Sequence, residues 1–160
     1  MDVWGPFSIS TSDGHRYFLT IVDDASRATW VFLLKAKSEF RSFIASFYTM
    51  VQTQFGIKIK SVGTDNALEF NMVDFYNSNG IIHQQSCVYT PQQNSIVKKK
   101  HQHILDTARA LQIQSSVPLS FGDDCVHTVV YLINKLPSPL LYNKGVNALL
   151  IPTFFDFFPF

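Results

Sequence analysis

Two β-rich hexamers dominate the first quarter of the chain. They are Tyr17-Phe18-Leu19-Thr20-Ile21-Val22 and Thr29-Trp30-Val31-Phe32-Leu33-Leu34, separated by a short stretch that contains Asp23-Asp24-Ala25-Ser26. Aromatic and β-branched residues at that density fit pleated strands. Thr11-Ser12-Asp13-Gly14 is a turn signal between Phe7-Ser8-Ile9 and the first hexamer, because Asp and Gly supply the local hydrogen bonding and backbone freedom a tight turn needs. Residues 2–34 are therefore predicted as a three-stranded antiparallel meander, and that meander limits what the rest can build.

The period then changes. From Ser38, the apolar residues Phe40, Phe43, Ile44, Phe47, Met50 and Val51 fall at steps of three and four, one stripe on a helix. Gly56 is placed to end it. Ile57, Ile59 and Val62 alternate as in a strand that runs into Thr64-Asp65-Asn66. A short helix is expected over 73–79, ending at Gly80, and a fifth strand over 81–87. Tyr89-Thr90-Pro91-Gln92-Gln93-Asn94 reads as a polar loop, and Asn94 or Ser95 as a cap for a helix striped by Val97, Ile104, Ala108 and Leu111. A last helix over about 119–136 carries Val126, Val129, Val130 and Ile133. Three hairpin-linked strands followed by two reached through helical crossovers predict an α/β layer fold with a mixed sheet.

Composition narrows the function classes. The 160 residues suit one domain, and 46% hydrophobic against 16% charged residues allow a packed core. Thirteen Lys and Arg against twelve Asp and Glu leave a net charge of +1, so no global field marks a nucleic-acid binder. Cys87 and Cys125 are too few for a disulfide framework and form no metal knuckle, which points to a reducing compartment. No apolar run is long enough to span a membrane, and the first residues lack a signal-peptide profile. Residues 146–160 form a separate Phe-rich tail expected to pack poorly, so the domain is drawn as 1–145.

Two acids fall at strand ends. Asp2 lies in the first strand and Asp65 closes the fourth. If those strands are neighbours, their carboxylates converge, and oxygen ligands of that kind suit Mg²⁺ or Mn²⁺. Two such ions about 4 Å apart can clamp both oxygens of a phosphodiester displacement. Such a site needs a third acid. Glu69 is near in sequence but past the strand end, Asp74 lies further along, and the first turn of the 94–113 helix carries Lys98-Lys99-Lys100. Residue types alone leave open that Asp2 and Asp65 are ordinary strand-end acids.

The strings DVWGPF, RYFLTIVDDASR, TDNALEF and YTPQQNSIVKKKHQHI occur in order along residues 2–104. With them, residues 2–145 resemble the integrase catalytic core of plant copia-type retrotransposons. The resemblance implies a ribonuclease H-like fold: a five-stranded mixed sheet with helices on both faces. It also implies DNA strand cutting and joining by an Asp, Asp, Glu triad that holds two Mg²⁺ ions, action in the nucleus, and a possible homodimer. Asp2 matches the first acid, in a DxxGP motif, and Asp65 the second, in a TDNG-x-EF motif. The third acid belongs in a VERK-like string after PQQN, where this chain has Val97-Lys98-Lys99-Lys100. Lys98 thus stands at the position of the catalytic Glu.

That departure governs the expected chemistry. A Lys offers three donors, no acceptor and a positive charge. At about 4 Å from a dication, with an effective dielectric near 20, an attraction of about 8 kcal/mol becomes a repulsion of similar size. Metal binding is expected to be weakened and strand transfer lost. Further departures are Ala67 in place of Gly in the TDNG string, Ala25 in place of a His, and no Trp around Phe121-Gly122-Asp123-Asp124. If the turn at Ala67 needs a positive φ, it carries a cost of about 1 kcal/mol. With Met1 one residue ahead of Asp2, the first strand is expected to be truncated. The interval from Asp65 to Lys98 is shorter than the family's, which is attributed to a contracted loop after Phe70.

Lys98, Lys99, Lys100, His101 and Arg109, opposed only by Asp106, make the 94–113 helix locally basic. These residues are the candidates for DNA phosphate contact, as on the matching helix of the family. His101 and His103 point about 200° apart on a helix and cannot share a metal. His83 with Cys87 makes no zinc pair, and His127 reads as a helix-edge substitution. Two rival functions accompany the inactive-integrase reading. In one, Glu69 or another acid replaces the lost Glu and weak metal-dependent nicking survives. In the other, the chain is a non-enzymatic DNA-binding or dimerising module.

Overall fold

A computed structural model describes residues 1–7, 10–86, 95–138 and 144–145. The elements are β1 (Asp2–Trp4), β2 (Tyr17–Val22), β3 (Thr29–Leu34), α1 (Phe40–Phe55), β4 (Ser61–Thr64), α2 (Val73–Ser78), β5 (Ile82–Gln85), α3 (Ser95–Gln114), α4 (Gly122–Lys135) and two short strands, β6 (Pro137–Ser138) and β7 (Lys144–Gly145). The polar loop expected at 89–94 and the Phe-rich tail lie outside the described residues.

The meander forms as expected. β1 pairs antiparallel with β2 through Asp2 and Thr20, and β2 pairs antiparallel with β3 along its whole length, Tyr17 opposite Leu34 and Val22 opposite Thr29. Both faces of this sheet are covered, so its strands read as near-continuous apolar runs. Alternate residues divide the core. Leu19 and Leu34 join Phe40, Ile44 and Tyr48 on the α1 side. Phe18 and Val31 join Ile104, Ala108, Val126 and Val129 on the α3 and α4 side. Helices therefore flank the sheet on both faces. Val3 packs with the first group and Trp4 with the second, which puts Asp2, of Trp4's parity, toward α3.

Local signals explain the boundaries. α1 ends where Gly56 takes a left-handed φ of 63°, and Gly80 does the same after α2 at 66°. At Gly5 a Cβ would sit 2.6 Å from the Arg16 carbonyl and 2.7 Å from Tyr17 Cδ1, so only glycine fits there. Asn134 of α4 ties its helix to β3: its amide accepts from Thr29 N at 3.1 Å and donates to Thr29 O at 2.7 Å, all within the core.

Three expectations need correction. The five strands do not register as one ladder: β1, β2 and β3 form one sheet, and β4 and β5 a parallel pair. β1 and β4 meet where Met1 N donates to Gly63 O at 2.6 Å. The fourth strand starts at Ser61, not Ile57, because its pairing with β5 begins at Ser61 opposite Ile82; Ile59 packs on the core outside the ladder. The last helix opens as a 3-10 turn at Leu119–Phe121, and its α-helical part begins at Gly122.

Candidate active site

Asp2 sits on the short first strand and Asp65 just after β4. Burial pulls the Met1 amino group down to about 6, against the opposing pull of Asp2 and Asp65. The Asp65 carboxylate accepts from Ala67 N at 3.1 Å, closing a turn at the strand end. Ala67 has φ −68°, so that turn uses ordinary backbone and the cost considered for Ala at this position does not arise.

α3 supplies the other wall. A cleft of about 470 Å³ is lined by Asp2, Trp4, Lys98, His101, Asp106 and Arg109, with Gln102 and Leu105 between them. Lys98 thus faces the same space as Asp2. Deeper in, His101 Nδ1 lies 3.4 Å from Asp2 Oδ2, with the two side chains 6% and 13% exposed. The His101 ring stands edge-on to Phe18 at 5.1 Å, and its Nε2 is buried without a hydrogen-bond partner among the described residues.

The placement of His101 corrects its assignment to the phosphate-tracking face. It lies within the buried stripe of α3, one turn after Val97 and three residues before Ile104. The spacing 97, 101, 104, 108 carried that information in the sequence, but the neighbouring lysines drew His101 into the basic run. Of that run, Lys98 and Lys99 are exposed and Lys100 is half-buried. Burial and the nearby Arg27 lower the Lys100 pKa. Arg109 is exposed and pairs with Asp106 at 3.7 Å.

Glu69, the candidate substitute acid, is engaged elsewhere. Lys37 Nζ donates to Glu69 Oε1 at 2.9 Å. That hydrogen bond raises the Lys37 pKa, and the field of Asp65 contributes in the same direction. Asp74 is exposed on α2. Among the described residues, one group of three acidic or imidazole side chains has ligand atoms within 4.8 Å of one another: Asp13, His15 and Asp123. It includes neither Asp2 nor Asp65. There His15 Nδ1 meets Asp123 Oδ2 at 3.5 Å, in the first turn of α4, where the helix dipole favours an acid.

The class of protein follows from this order of elements with acids at the ends of β1 and β4, and comparison with known proteins establishes it. Residues 1–91 match the model of the integrase core domain family, and the chain belongs to that family. It is 35% identical over 145 residues to the retrovirus-related Pol polyprotein from transposon TNT 1-94 of Nicotiana tabacum, covering 88% of this chain and 11% of that protein. It is 34% identical over 141 residues to the Pol polyprotein from transposon RE1 of Arabidopsis thaliana, and 36% over 141 residues to that from transposon RE2, each alignment covering 88% of this chain and 10% of the relative. The chain thus spans about a tenth of the length of these relatives. Its fold is similar to a chain in the cryoEM structure of a simian T-cell lymphotropic virus intasome bound to PP2A regulatory subunit B56 gamma, with a TM-score of 0.62, 16% identity, and coverage of 84% of this chain and 48% of that one. The fold is therefore that of the integrases, ribonuclease H-like.

The groups around Asp2 do not fit a pair of divalent ions. A two-ion centre needs several anionic oxygens. Here Asp2 meets an imidazole, and the cleft it lines carries an ammonium group.

Proposed function

We propose that this chain is a retrotransposon-derived integrase core that keeps the family's fold and two of its three acids, contacts DNA, and no longer cuts or joins it. The observation that carries this reading is the surroundings of Asp2: Lys98 lines its cleft and His101 Nδ1 lies 3.4 Å from its carboxylate. Lys98 brings a cation to the cleft that Asp2 lines, and His101 sets an imidazole against the carboxylate. Neither supplies an acceptor oxygen to a metal ion. Removing even about 4 kcal/mol of transition-state stabilisation slows a reaction roughly a thousandfold.

DNA contact rests on Lys98 and Lys99, exposed together at the start of α3. Ammonium groups there attract phosphates without reading bases. The test is a strand-cleavage and strand-joining assay on labelled duplex DNA with Mg²⁺ or Mn²⁺. The expected result is no product from the chain, and none from its Asp65→Asn variant. Metal-dependent nicking that disappears in Asp65→Asn overturns the inactive reading and returns the chain to the enzymes.

A further inference from the structure

The turn between β1 and β2 reaches across to α4. Thr11 N donates to His15 O at 3.1 Å, His15 N donates to Thr11 Oγ1 at 3.0 Å, and Gly14 takes a φ of 83° between them. Ser12 N donates to Ser120 O at 2.9 Å, which lays the turn against the start of α4. Three side chains meet at that junction: the ligand atoms of Asp13, His15 and Asp123 lie within 4.8 Å of one another. Asp123 is 4% exposed. A carboxylate that deep is ordinarily paired with a cation or bound to a metal. Among the described residues no lysine or arginine pairs with it. Its Oδ1 accepts from Asp124 N at 3.1 Å, and its Oδ2 faces His15 Nδ1 at 3.5 Å. A charge-assisted hydrogen bond spans only about 2.7–2.9 Å. Thr11 Oγ1, the other polar atom near that nitrogen, lies 3.3 Å away.

We propose that Asp13, His15 and Asp123 form a Zn²⁺ site that ties the β1–β2 turn to α4, with its fourth position open to water. It shares no residue with the cleft of Asp2. The donor set is one imidazole and two carboxylates, which a divalent ion of borderline softness accepts. Spacing selects the geometry. Two ligand atoms each about 2.1 Å from an ion lie about 3.4 Å apart at a tetrahedral angle and about 3.0 Å apart at a right angle. The 3.5 Å between His15 Nδ1 and Asp123 Oδ2 fits the tetrahedral value. Four-coordinate binding is the habit of Zn²⁺, whereas Mg²⁺ and Mn²⁺ favour octahedral oxygen sites. Two carboxylates also neutralise the dication, so the buried Asp123 is left without uncompensated charge. Asp13 is exposed at the rim, which gives the ion a way in. The turn and α4 are far apart in sequence, so the site exists only in the folded chain and its occupation stabilises the fold.

The test uses the full chain, stripped of metal with EDTA and then titrated with Zn²⁺ in calorimetry and with Co²⁺ in visible absorption. Expected are a single Zn²⁺ per chain, a higher melting temperature with Zn²⁺, and the intense bands of four-coordinate Co²⁺, bleached by Zn²⁺. Mn²⁺, at the weak end of the affinity order, should leave the melting temperature unchanged. His15→Gln should weaken Zn²⁺ binding at least about a hundredfold, because loss of an outer-shell partner alone costs about 10–100-fold. Asp13→Asn changes an exposed turn residue, so it should melt like the parent in EDTA and lose the gain that Zn²⁺ gives. Asp2→Asn should bind Zn²⁺ as the parent does. No Zn²⁺ binding by the parent overturns the proposal and leaves His15 and Asp123 as an ion pair. Unchanged affinity in His15→Gln and Asp13→Asn, or lost binding in Asp2→Asn, overturns it by putting the ion elsewhere. The weak bands of six-coordinate Co²⁺ overturn the tetrahedral site.

Discussion

At the scale of single residues, the proposed loss of strand cutting and joining rests on position 98. The Lys98 side chain opens onto the cleft that holds Asp2, so a carboxylate there would restore an oxygen ligand on the correct wall. Lys98→Glu should convert indifference to Mn²⁺ into a thermal stabilisation that grows with metal concentration. At about 100 times the Kd it amounts to about 2.7 kcal/mol. Differential scanning fluorimetry against MnCl₂ reads this directly; identical melting curves for both proteins would show that His101 alone suffices to close the site to metal. A second residue-scale prediction concerns pH. His83 stacks on Tyr76 at 4.5 Å, and its Nε2 lies 2.8 Å from Thr64 Oγ1. Burial lowers its pKa from 6.5. The folded state then takes up a proton less readily than the unfolded chain. The stability tied to neutral His83 is complete above about pH 6.5 and is lost as pH falls toward the lower folded value. Urea midpoints should drop between pH 7.5 and 5.5, and His83→Gln should flatten part of that drop. An unchanged slope in the variant would assign the whole effect to other groups, of which His127, also lowered by burial, is the nearest in kind.

At the scale of elements, what matters is how helices are attached to the sheet. α4 carries an apolar stripe of Val126, Val129 and Val130, all buried, as its spacing predicted. The stripe does not fix its position along β3. Asn134 does, by occupying both backbone groups of Thr29. Removing that amide leaves a buried N–H and a buried C=O without partners, each worth about 1–3 kcal/mol. Asn134→Leu should therefore destabilise the fold by about 2–6 kcal/mol in chemical denaturation, far more than the loss of one exposed side chain; a loss below about 1 kcal/mol would mean that α4 and β3 are registered by the stripe alone. α3 shows the same division of labour. Val97, His101, Ile104 and Ala108 bury one face, and that burial sets Lys98 on the flank that borders the Asp2 cleft and Lys99 on the far, exposed side.

At the scale of the molecule, the near-zero net charge and the local cluster of lysines set the terms for DNA. No global field steers the chain, so binding should be weak and carried by few contacts. The plot of log affinity against log salt should be shallow, and changing Lys98 and Lys99 together to Ala should reduce its slope by about 2, close to one unit per phosphate neutralised. Fluorescence anisotropy of a labelled duplex across 50–300 mM NaCl measures both slopes. Equal slopes would move the DNA contact away from α3.

Much of this was legible in the residues. Two β-rich hexamers bracketing a polar turn made the meander, apolar steps of three and four made α1, and Gly56 and Gly80 stopped their helices, since these signals act within a few residues of chain. The identity of position 98 was equally local, and with it the presence of a lysine on the wall of the cleft that Asp2 lines. Other features depended on elements far apart in sequence. Burial of His101 against Asp2 needed α3 to lie across β1. Capture of Glu69 needed Lys37 to arrive from the turn before α1. The junction of β1 with β4 needed two separate ladders to meet where Met1 N donates to Gly63 O. Periodicity tells which face of an element is turned inward; which group waits on the other side is settled only when the layers close, because that pairing is a property of the packed interface and not of either strand or helix alone.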